Sequence, residues 1–188
     1  MTFWAVARAS QTMSELHHDL LVVGSRQAEH WDMSSRKEHD AYGGVAGLVA
    51  AVGFALMRSG PVQPMDLLAE AIGGYLGGRY LGSPLPDVFE PATSSHHRST
   101  MHSVAVTSLV AYGGATRVNE VAESLRRSAD QHAENVAQQP EKATEEQLMR
   151  FLKRMAAGAV VGVPAGYISH NLADSWTPRS IPLVTRGF

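Results

Sequence analysis

The residues of this chain best suited to chemistry are histidines and aspartates. Nine histidines occur, at 17, 18, 30, 39, 96, 97, 102, 132 and 170, and there is no cysteine. Any transition-metal site must therefore use imidazole and carboxylate, a donor set that suits Zn²⁺, Mn²⁺ or a related divalent ion. His170 and Asp174 stand four apart in Tyr167-Ile168-Ser169-His170-Asn171-Leu172-Ala173-Asp174. On a helix that spacing puts both on one face, with β-carbons about 5–6 Å apart. So placed, they can bind one ion, bridge two, or simply hydrogen-bond to each other.

A second group precedes them. His97 and His102 are five apart across what reads as a loop-to-helix junction. Arg98 beside them could neutralise an anionic substrate such as a phosphate. Ser99 could cap the helix, bringing backbone N–H groups that favour anions. The competing reading pairs Arg98 with Glu90 and leaves these histidines on the surface. Asp87 lies upstream in Leu85-Pro86-Asp87. Glu90, if it is not a ligand, could orient a water or accept its proton.

His39 opens another segment, with Gly43 and Gly47 following at i+4 steps. Small residues on that face would let a second helix pack beside the histidine. His17, His18 and His132 fall on polar or charged segments and read as solvated. His30, beside Trp31, is open. No Gly-x-Ser-x-Gly signature surrounds Ser99 or Ser103, so a serine-hydrolase reading has little support.

The elements that must position these residues read as helices. Alternating β-branched runs are few, so strands are not expected. The expected fold is all-α, a compact domain of about five to seven helices with Gly/Ala-rich helices buried. Residues 10–32 form the first, with Leu16, Leu20 and Val23 on one face. Ser34-Ser35 start the next, which continues through Tyr42–Met57 until Ser59-Gly60-Pro61. Pro64 to Tyr80 carries Met65, Leu68, Ile72 and Leu76 at helical spacing. Gly73, Gly74, Gly77 and Gly78 in that segment each cost about 1 kcal/mol against alanine. Close helix-helix approach would explain them, as would a backbone yielding to a ligand.

Leu81–Ser95 holds Pro84, Pro86 and Pro91 and is expected to be a loop. Ser99–Tyr112 is the next helix, broken at Gly113-Gly114. Asn119–Gln138 reads as a surface helix. Thr144 and Gln147 resemble a capping box. The helix they open runs to Trp176, with a kink expected at Pro164. The stretch from Arg117 to Lys153 reads as a charged helical insertion within a single domain spanning 1–188.

Composition sets limits. The 188 residues suit one core, and 44% hydrophobic with 18% charged residues fit a globular chain. A net charge of -2 gives no basic excess, so no nucleic-acid partner is expected. The start of the chain lacks the pattern of a signal peptide. Gly43–Met57 is uncharged but only about 15 residues long, short of the roughly 20 a spanning helix needs. It is expected to be a buried helix, and the chain cytoplasmic, with peripheral membrane contact left open.

Together these motifs resemble the YdjM-type family, described as inner-membrane-associated, metal-dependent hydrolases. The matching pieces are His39 ahead of a glycine-spaced helix and Leu-Pro-Asp ending at Asp87. His97 to Ser103 is similar to the family's His-Arg-Gly-x-Thr-His-Ser. Ser169-His170 through Asp174 to Thr177-Pro178, then Ile181-Pro182-Leu183, is similar to its C-terminal motif. The order agrees from about Glu38 to Leu183. Ser99, Met101 and Ser180 depart from it, standing where the family has glycine, threonine and glycine. The resemblance implies a helical fold and a site of one or two ions held by His39, Asp87, His97, His102, His170 and Asp174.

The expected activity is metal-dependent hydrolysis of a small-molecule or lipid phosphoester. The ion would polarise the ester and acidify water, with Arg98 on the anionic oxygens. The alternative is a non-catalytic, metal-stabilised binding or assembly module. A homo-oligomer fits either.

Overall fold

Apolar periodicity without strand signals is resolved into helices throughout the computed structural model, which describes residues 36–58, 62–91 and 100–175. The chain divides into two units, Met1–Glu38 and His39–Phe188. Only Arg36, Lys37 and Glu38 of the first are described. The expected first helix at 10–32, with His17, His18 and His30, lies outside the described residues, as do His96 and the tail from Trp176.

Among the described residues there are four long helices, where five to seven helices were expected. They are α1 (Arg36–Leu56), α2 (Pro64–Leu76), α4 (Val104–Gln138) and α5 (Ala143–Ser175). A single turn, α3, spans Leu85–Phe89. One expected helix lies outside the described residues, and the rest of the difference has a physical cause. Gly113-Gly114 does not break α4, which runs 35 residues because its far half is packed along α5. Tertiary burial outweighs the propensity cost of two glycines.

Pro64 at the first turn suits the start of α2, and Asp66 follows it. The helix then widens into a π-helical stretch, Gly77–Gly82, closed where Ser83 N–H donates to the Gly78 carbonyl at 2.8 Å. The loop expected over Leu81–Ser95 is corrected in part. Pro84 and Pro86 stand at the start of α3, where a missing N–H costs nothing. Ser103 caps α4, its Oγ accepting from Val106 N–H at 3.2 Å. Thr144 is not a cap, because a 3₁₀ turn, Pro140–Lys142, leads directly into α5. Pro164 lies within the uninterrupted α5.

Glycine decides how α2 sits between α1 and α5. A Cβ at Gly47 would strike the Gly74 carbonyl, and one at Gly158 would strike the Glu70 carbonyl. The helices meet backbone to backbone, the close approach expected from the glycine spacing. The core beside them is alanine-rich: Ala51, Ala122, Ala157 and Val161, with Phe54, Val118 and Leu125 against them.

The large apolar residues of α2 face the other way. Met65, Leu68, Ile72, Leu76 and Tyr80 are exposed. Val45, Leu48, Val49 and Leu56 are exposed on α1, so the expectation that Gly43–Met57 is a buried helix is corrected. By length and composition α1 could cross a membrane, and 33% of its most apolar stretch is buried. Small residues inward and large apolar residues outward is the inverse of a soluble amphipathic helix.

Candidate metal centre

Three helices and one turn deliver side chains to a single point. His39 comes from the first turns of α1, on the face that Gly43 and Gly47 press against the end of α2. Asp87 comes from α3, His102 from the turn before α4, and His170 and Asp174 from one face of α5. The i,i+4 spacing of the last two holds as expected, with His170 Nε2 3.6 Å from Asp174 Oδ2.

His102 Nε2 lies 3.2 Å from Asp87 Oδ1 and 3.5 Å from Asp174 Oδ2. His170 Nε2 lies 3.7 Å from the same Asp87 oxygen. His39 Nε2 stands 3.9 Å from Asp174 Oδ1, and its ring meets that of His170 edge-on at 4.7 Å. Two overlapping triads have their donor atoms within 4.8 Å of one another: His39, His170 and Asp174, and Asp87, His102 and His170. The His102 and Asp174 side chains are 0% and 2% exposed, whereas Asp87 is 28% exposed. Solvent therefore reaches the cluster from the Asp87 side.

These distances fit an ion. Donor atoms about 2.0–2.1 Å from a tetrahedral Zn²⁺ stand about 3.3 Å from each other. Four of the six separations among Asp87, His102, His170 and Asp174 run from 3.2 to 3.7 Å. Burial pushes His170 down to about 4, against the pull of Asp87 and Asp174. Its imidazole is therefore neutral at pH 7, the form that binds metal.

Three further residues hold the His102 turn. Glu90 accepts from Thr100 N–H at 2.9 and 3.1 Å and from Met101 N–H at 2.8 Å. The Tyr167 hydroxyl donates to the Met101 carbonyl. Asn171 Nδ2 donates to that carbonyl at 3.1 Å and to Thr107 Oγ1 at 2.7 Å. Glu90, the sequence candidate for orienting water, thus holds the amides of the 100–101 backbone. Tyr167 and Asn171 were not singled out from sequence. The signal was available: with His170 and Asp174 they complete a polar face at helical spacing on the C-terminal part of α5.

Of the six expected ligands, five converge: His39, Asp87, His102, His170 and Asp174. His97 lies outside the described residues, together with Arg98 and Ser99. His132, expected to be solvated, instead pairs with Glu146 across α4 and α5 at 2.5 Å.

A second buried cluster escaped sequence reasoning. Glu70 on α2 receives Arg126 Nε at 3.1 and 3.0 Å and Arg154 Nη1 at 3.1 Å. Arg154 also reaches Asp130 at 2.5 Å, and Arg150 reaches Asp66 at 2.6 Å. Burial opposes the Arg126 charge, but Glu70 and Glu123 outweigh it and hold its pKa above the ordinary arginine value. The segment expected to be a surface helix, Asn119–Gln138, therefore carries a fully buried arginine.

No protein-family description, curated protein or solved structure matches this chain, so the chemistry of the centre is argued from its own geometry.

Proposed function

We propose that this chain is a metal-dependent hydrolase acting on a phosphoester. The observation that carries the reading is the set of 3.2–3.7 Å separations among two imidazole nitrogens and two carboxylate oxygens, with His102, His170 and Asp174 buried. Asp87, His102, His170 and Asp174 would hold the ion, with His39 as a further ligand or as the start of a second site. Zn²⁺ and Mn²⁺ suit these donors. A divalent ion there supplies positive charge that polarises an ester and makes water more acidic.

The remaining roles fall to the chain. Substrate enters from the Asp87 side, because Asp87 is the most exposed of the five side chains. Arg98, two residues before the His102 turn, is the candidate for holding anionic oxygens. The metal-dependent hydrolase reading, though not the role of Arg98, agrees with what the YdjM-type resemblance implies.

The test is hydrolysis of p-nitrophenyl phosphate, bis-p-nitrophenyl phosphate and a phospholipid by purified full-length chain. Chelation should abolish activity, Zn²⁺ or Mn²⁺ should restore it, and His102→Ala should remain inactive. Turnover unaffected by chelation and by His102→Ala would overturn the proposal.

The outward apolar residues of α1 and α2 favour a second reading, a metal-stabilised assembly module. They equally support cytoplasmic membrane association. Sedimentation and vesicle flotation separate the two: an oligomer that ignores lipid supports the module, whereas a monomer that floats supports the membrane surface.

A further inference from the structure

We infer that Glu90 is a positioning residue that fixes which ring nitrogen of His102 faces the metal centre, an inference that rests on the metal-site reading above. Asp87 and Glu90 stand three apart around the end of α3, so both reach one side of the molecule. Between them lies the imidazole of His102. Asp87 Oδ1 is 3.2 Å from its Nε2, and Glu90 Oε2 is 3.4 Å from its Nδ1. One turn of helix thus grips both nitrogens of one ring.

The two contacts are chemically different. Glu90 is held in place by its own N–H, which donates to the Pro86 carbonyl at 2.9 Å. Its carboxylate already accepts the amide protons of Thr100 and Met101. Asp87 and Asp174 face Nε2 as acceptors too, so it is a cation held among them that would leave the ring proton on Nδ1, where Glu90 accepts it. Nε2 then turns its lone pair toward Asp87 and Asp174, where a ligand atom is needed. A carboxylate behind a ligating histidine fixes both its tautomer and its orientation. Here the same carboxylate also fixes the backbone that carries the ring.

His170 provides an internal contrast. Its Nδ1 is buried with no hydrogen-bond partner among the described residues. The centre therefore contains one histidine whose tautomer is set by a carboxylate and one whose tautomer is not set in that way.

The test is the ¹⁵N imidazole spectrum of zinc-loaded, full-length protein, with zinc titration alongside. In the wild type, His102 should be protonated at Nδ1. In Glu90→Gln it should become a mixture of tautomers while His170 is unchanged, and zinc affinity should fall about 10- to 100-fold. Tyr167→Phe loosens the same turn without touching the ring, so it should lower the melting temperature and keep the tautomer. A wild-type His102 protonated at Nε2 overturns the inference without any variant. So does a Glu90→Gln protein with the wild-type tautomer and zinc affinity. If zinc binds neither protein, the metal reading fails and overturns this inference with it, whereas zinc bound equally by both overturns the role of Glu90 alone.

Discussion

Two buried charged clusters lie along α5, and they differ in what faces their carboxylates. Glu70 meets guanidinium groups, from Arg126 and Arg154. Asp174 meets imidazole nitrogens, from His39, His102 and His170. In the first cluster Arg58, Arg126, Arg150 and Arg154 are matched by Asp66, Glu70, Glu123 and Asp130, four charges of each sign. It supplies its own counter-charge. In the second, His170 is held neutral by burial, so it offers a lone pair where the arginines offer charge. The first cluster therefore joins helices with its own counter-charges, and the second is the one whose donors could hold a cation.

The largest effect should come from breaking the first. Removing one partner of a buried ion pair leaves the other uncompensated and costs about 3–5 kcal/mol. Glu70→Ala should show a loss of that size in urea unfolding, with or without metal. A loss under about 1 kcal/mol, the value typical of exposed pairs, would contradict the burial seen here.

The second cluster should respond to metal instead. Zinc at one hundred times its dissociation constant should stabilise the chelated wild type by about 2.7 kcal/mol. Asp174→Asn should lose that gain, and a Glu70 variant that still folds should keep it. Equal gains in both variants would erase the distinction between the clusters.

The scaffold joining them gives a smaller effect. Gly47→Ala forces a methyl group into the Gly74 carbonyl and should cost about 1–3 kcal/mol. Leu68→Ala, on the outward face of α2, should stay within about 0.5 kcal/mol in dilute solution. The smallest effect belongs to the His132–Glu146 pair. The hydrogen bond from His132, followed by that from Asn135, holds the Glu146 carboxyl below its ordinary value of 4.5. A lowered folded pKa stabilises above that ordinary value and is lost as pH falls through the folded one. The slight loss in melting temperature from His132→Ala should therefore shrink on acidification.

Much of the metal centre was legible because its signals are local. His170 and Asp174 share a face by spacing alone, and glycines at i+4 steps announce a close approach on α1 and α2. Other features depend on the tertiary fold. Arg126 lies in a stretch of charges that reads as solvated, and only its position opposite Glu70, 56 residues away, makes it buried. Apolar spacing on α2 identifies a face but not its direction. The glycine face won the interior because only it allows backbone contact. Prolines 84 and 86 read as loop formers, yet two prolines at the start of a short helix are equally compatible with their fixed φ.

The most direct test of the central claim is an anomalous difference map from crystals of the full-length protein grown with Zn²⁺. A peak about 2.0–2.2 Å from Asp87, His102, His170 and Asp174 is the predicted result. A fully occupied peak elsewhere with none at this cluster, or no peak despite saturating zinc, would contradict it.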